Sequence, residues 1–258
     1  MNSNGQLVVV GSGIQLGRHI SQRAQSEIEA ADVVFSLADP FATQWLNQLR
    51  PDLIHLTDYY ADDKDRRISY GQMEKAIVDQ VQAGKAVCAV FYGHPGVFAR
   101  VPHRAIAEVR EAGLSARMEP GISAEDCLIA DLGLDPGHRG LFSCEATQFL
   151  INRRSLDPAA LVILWQVALT GNLDCVGFEA HPPSLELLVG KLLDWYRPDT
   201  EIILYEAAQL PIEPFRAERM ALTDLPAASF KEHTTLVIPP SSELLPDQAM
   251  IDRLRQLR

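Results

Sequence analysis

The stretch Ala86-Val87-Cys88-Ala89-Val90-Phe91-Tyr92 limits the fold more than any other part of the chain. It is unbroken by polar residues and is closed by Gly84 on one side and Gly93-His94-Pro95-Gly96 on the other. A short apolar run between turn residues reads as a strand buried on both faces. Such a strand needs helices above and below it. Leu7-Val8-Val9-Val10, ending in Gly11-Ser12-Gly13, has the same character, as does Val33-Val34-Phe35-Ser36-Leu37, which Asp39-Pro40 stops. Leu53 to Leu56 is a further short strand. A polar helix is expected from Gly17 to Ala30, and another from His103 to Ala112. Between Ser69 and Ala83, Tyr70, Met73, Ile77 and Val81 recur at spacings of three and four and share one helical face. Gly84 is placed to end that helix. The alternation predicts an α/β fold with a mainly parallel sheet covered on both sides.

The region from Met118 to Leu134, with Pro120-Gly121 and later Gly133 and Pro136-Gly137, reads as a passage between two halves. Beyond it, Leu141 to Cys144, Leu161 to Val167, Ile202 to Tyr205 and Thr235 to Ile238 are expected strands, with helices such as Leu185 to Tyr196 between them. Longer polar connections there suit a mixed sheet. We therefore expect two α/β domains, residues 1–118 and 119–258. With 258 residues either is large enough to bury a core.

Net charge excludes one class of partner. At −11, with no basic run of useful length, the chain repels phosphate backbones, so nucleic acid is not expected as a ligand. Cys88, Cys127, Cys144 and Cys175 form no C-x-x-C pair, and three lie in apolar or small-residue runs where thiols act as small hydrophobes. Neither a disulfide nor a metal site follows. Met1 to Gly5 lacks a basic region leading into an apolar one, and no apolar run approaches the roughly 18 residues of a membrane span. A cytoplasmic protein is expected.

Three motifs carry chemistry. Gly11-Ser12-Gly13-Ile14-Gln15-Leu16-Gly17 follows a strand and can bring backbone N–H groups near a pyrophosphate, with Asp39 where a ribose-binding acid would sit. The spacing is G-x-G-x-x-x-G, however, and a nicotinamide-dependent oxidoreductase is a rival reading rather than the preferred one. Phe91-Tyr92-Gly93-His94-Pro95-Gly96-Val97-Phe98 lies at the carboxyl end of the central strand, where ligands bind in open α/β sheets. His94 has no second ligand at helical spacing, which argues against a metal. In Glu119-Pro120-Gly121-Ile122-Ser123-Ala124-Glu125-Asp126, Ser123 and Asp126 fit a helix cap. Capping does not explain the Pro-Gly pair before them.

In that order, these three loops resemble the tetrapyrrole methylases, which use S-adenosylmethionine. The strings from Phe91 to Phe98, His103 to Ala107 and Pro120 to Asp126 resemble one branch in particular, the borosin peptide backbone α-N-methyltransferases. The likeness continues through Leu164-Trp165-Gln166-Val167 and Thr234 to Pro240, and so covers nearly the whole chain. It implies two α/β domains with the donor cleft between them, a homodimer, and donor contacts from Tyr92, His94, Val97, Ser123, Ala124, Gln166, Ala207, Thr234 and Thr235.

An amide nitrogen is a poor nucleophile because its lone pair is delocalised into the carbonyl. Methylating it requires taking its proton while bracing an imidate-like oxygen, which suits a strong base beside a cation. A phenol, ordinarily near pKa 10, becomes such a base only when a positive charge lowers it. The stretch from Asp58 to Tyr70, containing Tyr59, Tyr60, Asp62, Asp63, Lys64, Arg66 and Arg67, resembles the branch's Tyr…Arg…Tyr segment. The resemblance puts Tyr60, Arg66 and Tyr70 at the catalytic positions, with Tyr92 as the fourth member. Arg66 and Arg67 are adjacent, so either one can be the arginine of this set.

Fused members of the branch carry their substrate as a carboxyl-terminal extension, whereas here the sequence stops at Arg253-Leu254-Arg255-Gln256-Leu257-Arg258. The expected substrate is therefore a separate precursor peptide. The rival readings are a tetrapyrrole or other small-molecule C-methyltransferase on the same fold, the nicotinamide enzyme above, and a peptide-binding protein without activity.

Overall fold

The computed structural model describes residues 5–15, 17–61 and 64–257. Leu16 of the first glycine motif, Asp62 and Asp63 of the Tyr…Arg…Tyr stretch, residues 1–4 and Arg258 lie outside the described residues.

The first half of the chain alternates strand and helix. In order it contains β1 (Gln6–Gly11), α1 (Gln22–Ala30), β2 (Val33–Leu37), α2 (Pro40–Leu49), β3 (Ile54–His55), α3 (Arg66–Gln82), β4 (Ala86–Phe91), α4 (Arg100–Glu111), β5 (Ser115–Met118) and α5 (Ala124–Leu132). The strands form one sheet in the order β3-β2-β4-β1-β5, all parallel. Its alternating side chains divide between two cores. Leu7 and Val9 of β1 join Val87 and Ala89 of β4 against α3 and α4, while Val8, Val10, Cys88 and Val90 face α1 and α2. This two-sided burial is what the continuous apolar runs predicted.

The same topology marks the end of the sheet at which a ligand is expected. β1 and β4 are neighbours, yet α1 follows β1 onto one face and α4 follows β4 onto the other. Where adjacent strands send their connections to opposite faces, ligands of open α/β sheets bind outside the carboxyl ends of the strands. Those two loops hold Gly11-Ser12-Gly13 and Gly93-His94-Pro95-Gly96.

Several expectations are corrected locally. α1 starts at Gln22, not Gly17, because the Ser21 side chain caps it by accepting from the Ala24 N–H. The helix N-terminus that the dinucleotide reading needs is therefore absent from that turn. Asp39 caps α2, its Oδ1 accepting from the N–H groups of Phe41 and Ala42 at 2.9 and 3.0 Å. Capping accounts for it without a ribose. Of the cysteines, Cys88 is fully buried and the other three are half-buried; all four are free thiols. α3 ends as predicted at Gly84, whose φ of +85° only glycine adopts without strain.

The second half contributes α6 (Pro136–Arg139), β6 (Leu141–Glu145), α7 (Ala146–Ile151), β7 (Leu161–Trp165), α8 (Pro182–Leu192), β8 (Glu201–Glu206), β9 (Arg216–Ala221), β10 (Thr235–Ile238) and α9 (Gln248–Gln256). Its sheet runs β6-β7-β10-β8-β9 and is mixed: β6 pairs parallel with β7, and β10 pairs antiparallel with both β7 and β8. Val162, Leu164, Ile202, Leu204, Leu236 and Ile238 turn one face toward Phe149 of α7 and Leu185, Leu188 and Leu192 of α8. The Lys191 ammonium donates to the carbonyls of Phe149, Leu150 and Asn152 at 2.7, 2.9 and 2.6 Å, satisfying orphan groups at the end of α7.

By compactness the first unit runs through Gly133 and includes Asn172–Phe178 and Glu206–Arg216. Glu119 N–H still bonds Val9 O at 2.8 Å, and Gly121 packs on the backbone of Gly93, which ties the start of α5 to the first sheet.

Candidate active site

Three glycine loops meet in the first unit. Ser12 N–H donates to Phe91 O at 2.8 Å, and Gly13 and Gly93 exchange N–H···O bonds at 3.2 and 3.0 Å. The backbones are too close for side chains. A Cβ on Gly11 would lie 2.2 Å from Gly93 O, and one on Gly121 would lie 2.9 Å from the same oxygen and 3.3 Å from Gly11 Cα. The glycine of the Pro-Gly pair that capping left unexplained is therefore required by this contact. Past it, His94 Nδ1 accepts from Gly96 N–H at 3.0 Å and His103 Nε2 donates to Gly96 O at 2.9 Å, fixing the bend. Val97 and Phe98 follow on the surface, Phe98 with a φ of +51°. Among the described residues no group of His, Cys, Asp or Glu is arranged to hold a metal ion, and His94 serves the loop instead.

Beside the loops lies a cavity of about 420 Å³, lined by Gln15, His19, Ile122, Asp126, Cys127, Ala130, Asp131, Ala207 and Ala208. The Ser123 hydroxyl and backbone N–H both bond Asp126, forming the predicted capping box at the start of α5. His19 Nδ1 accepts from the N–H groups of Ile14 and Gln15 at 3.3 and 3.1 Å, so that nitrogen is unprotonated. Burial, helped by Arg18 and opposed by Asp131, lowers the His19 pKa in the same sense. Burial pushes the Tyr92 phenol up to about 12, although a hydrogen bond from Gln209 works against the rise. Tyr92 is a neutral phenol at any physiological pH.

Of the expected donor contacts, Tyr92, His94, Val97, Ser123, Ala124 and Ala207 fall in the first unit, and Ala207 lines the cavity. Gln166, Thr234 and Thr235 fall in the second. There Gln166 is exposed with a φ of +54° just past β7, and Val167 N–H bonds Thr234 O at 3.2 Å. The two Thr side chains are buried, so those three residues form one local group.

Two members of the tyrosine–arginine set, Arg66 and Tyr70, lie on α3, and Tyr60 precedes it, while Tyr92 follows β4. Arg66 is the first residue of the helix and Tyr70 lies one turn on, so they share a face. Ser69 Oγ and Lys64 Nζ both donate to Tyr59 O, at 2.9 and 2.7 Å, and hold the 3-10 turn Leu56–Tyr59 against the helix. That fixes Tyr60 edge-on to Tyr70, with ring centroids 6.3 Å apart. The choice between the arginines also has a geometry. Arg67 is paired with Asp65, whereas Arg66 turns to the loop Asn172–Phe178, donating to Gly177 O at 3.3 Å with its guanidinium 4.7 Å from the centre of the Phe178 ring.

Residues 6–217 match the family of Tetrapyrrole (Corrin/Porphyrin) Methylases. The chain belongs to that family. Solved structures agree on the fold: a uroporphyrin-III-C-methyltransferase of Thermus thermophilus superposes with a TM-score of 0.65 at 21% identity, covering 93% of each chain. A cobalt precorrin-4 methyltransferase superposes with a TM-score of 0.67 at 14% identity, covering 93% of this chain and 96% of the other.

Among sequence relatives of this chain is a Coprinopsis marcescibilis protein described as a methyltransferase and ribosomally synthesized type I borosin cyclic peptide precursor. It is 39% identical over 95% of this chain and 63% of its own length. A Gymnopus fusipes methyltransferase and gymnopeptides precursor is 36% identical over 98% of this chain and 61% of its own length. The chain therefore spans about three fifths of the length of these relatives. Sequence reasoning about its site missed Gln209, His19 and the Asn172–Phe178 loop. Only the glycine at 177 and the Asn-to-Gly turn character of that loop were there to be read.

Proposed function

We propose that this methylase transfers a methyl group from S-adenosylmethionine to backbone amide nitrogens of a peptide supplied as a separate chain, leaving S-adenosylhomocysteine. What carries this reading is the 36–39% identity, over 95% or more of the chain, to methyltransferases named together with cyclic-peptide precursors. The names of those relatives join enzyme and precursor, so delivery in trans is the part of the proposal that the experiment below must separate. The resemblance extends the proposal to a homodimer acting in the cytoplasm; among the described residues no helix is long and apolar enough to cross a membrane.

The first unit suits the donor. Its three loops pack backbone on backbone at the parallel strand ends, the side of an open α/β sheet on which ligands bind. The cavity beside them is of ligand size, and Asp126 and Asp131 line it with charge complementary to a sulfonium. When bound, S-adenosylmethionine supplies an electrophilic methyl group. Tyr92, His94, Val97, Ser123, Ala124 and Ala207 would hold it in this unit. Tyr92, protonated throughout, orients by hydrogen bonding and takes no proton.

Tyr70 or Tyr60 then removes the amide proton, and the Arg66 cation stabilises both the phenolate and the imidate-like oxygen. Calorimetry with S-adenosylhomocysteine, followed by turnover of the peptide encoded beside the gene, tests this division of labour. Tyr70→Phe and Tyr60→Phe should bind the donor product as the wild type does, and at least one should lose methyl transfer. Full turnover by both would remove the proposed base. Turnover only of a peptide fused to the carboxyl terminus would remove delivery in trans.

A further inference from the structure

Arg66 occupies an awkward place for a cation. At the first position of α3 it sits at the positive end of the helix dipole, and the first turn contains no acidic residue. The nearest carboxylate along the chain, Asp65, is taken: both its oxygens accept from Arg67 Nε at 2.9 and 2.8 Å, and Arg67 Nη2 lies 2.6 Å from Oδ2. Arg66 is steadied from far away in sequence. Its backbone N–H donates to Cys175 O at 3.3 Å, its Nη1 donates to Gly177 O at 3.3 Å, and its guanidinium lies over the Phe178 ring.

We infer that the loop Asn172–Phe178 is the holder of the Arg66 guanidinium, and that Phe178 and Asn172 are positioning residues for the methyl transfer. The inference rests on the reading that Arg66 serves the amide chemistry. Three features of the loop support it. Asn172 Nδ2 donates to Val176 O at 2.7 Å and to Gly177 O at 3.4 Å, so the carbonyl that meets Arg66 is itself fixed from behind. Cys175 has a φ of +57°, a conformation costly for a residue with a Cβ and kept only where the surroundings enforce it. Phe178 is 51% exposed, so core packing does not explain a phenyl ring at that place.

The chemistry of the holder matters as much as its stiffness. A carbonyl and an aromatic face attract a cation without cancelling its charge, whereas a carboxylate would neutralise it. Arg67 forms the ion pair with Asp65, whereas Arg66 acts on that carboxylate only through space and, among the described residues, forms no ion pair of its own. A guanidinium held by neutral groups one helical turn from Tyr70 retains the field that a phenolate or a developing oxyanion needs.

The test compares Phe178→Leu, which keeps an apolar side chain without a ring, with Phe178→Tyr, which keeps the ring. Direct loss of a surface cation–π contact is worth about two- to five-fold in rate, and misplacing a reacting group by an ångström up to about a hundred-fold. Phe178→Leu should therefore lower kcat for the precursor peptide by about five- to a hundred-fold while S-adenosylhomocysteine affinity, read by calorimetry, stays within about two-fold. Phe178→Tyr should restore kcat. Asn172→Ala, which frees the Val176 and Gly177 carbonyls without touching Arg66, should show the same split and serves if Phe178→Leu does not fold. Wild-type kcat in Phe178→Leu, or equal losses in Phe178→Leu and Phe178→Tyr, overturns the holder. Arg66→Gln separates the two levels. An inactive Arg66→Gln with an active Phe178→Leu defeats the holder alone, and an active Arg66→Gln defeats the amide chemistry on which it rests.

Discussion

Placing a methyl group at Gly121 probes the three-loop contact directly. The Cβ of Gly121→Ala would sit 2.9 Å from Gly93 O, 3.3 Å from Gly11 Cα and 3.4 Å from His94 Cα. All three are backbone atoms of loops pinned by hydrogen bonds, so no flexible side chain can swing away. The loops must part by several tenths of an ångström, an overpacking that costs about 1–3 kcal/mol. At about 2–4 °C per kcal/mol for a chain of this size, Tm should fall by about 2–12 °C in differential scanning calorimetry. A ligand lying against these loops would require them to close again. Affinity for S-adenosylhomocysteine should therefore weaken as well, by at most the same 1–3 kcal/mol, or about 5- to 150-fold. Gly71→Ala is the control: it is a helical, exposed glycine in α3 with nothing within 4 Å of its Cβ, and should gain about 0.5–1 kcal/mol. Unchanged Tm and unchanged affinity in Gly121→Ala would refute the packing argument.

Two further outcomes follow from buried acids. Tyr92→Phe removes the hydrogen bond with Gln209 and should lower kcat or donor affinity by about two- to ten-fold. Because the Tyr92 pKa is about 12, the acidic limb of the pH–rate profile should stay in place; a displaced limb would make Tyr92 a proton acceptor. Cys88 rises from 9.0 to about 12, Cys127 from 9.0 to about 11, and Tyr196 from 10.0 to about 12, each mainly through burial. The folded state thus holds these protons more tightly than the unfolded one. Stability should be complete below pH 9 and fall as pH rises toward 12. Urea denaturation at pH 8 and pH 10.5 measures this, and equal midpoints would contradict it.

The first sheet was legible because its central strands are buried on both faces and so are apolar throughout. β1, β2 and β4 appear in the sequence almost as they do in the structure, and Gly84, Ser123 and Asp126 marked helix ends by the chemistry they perform there. β5 and β9 were not legible. Both are edge strands with one hydrogen-bonded neighbour, and both carry charged residues such as Arg117, Arg216 and Arg219 that blur the apolar pattern. Asp39 and Gly17 looked like parts of a nucleotide site because a cap and a ligand use the same residue types. The partnership of Arg66 with Gly177 and Phe178 spans over a hundred residues with no local signal, so only three-dimensional coordinates reveal it.

Supply the purified enzyme with S-adenosylmethionine carrying an isotopically labelled methyl group and with its precursor peptide, then fragment the product in a mass spectrometer. Label should appear on main-chain nitrogens within the peptide and be absent when Arg66 is replaced by Gln. Label on a side chain, or a peptide left untouched while a tetrapyrrole such as uroporphyrinogen acquires the methyl on carbon, would contradict this expectation.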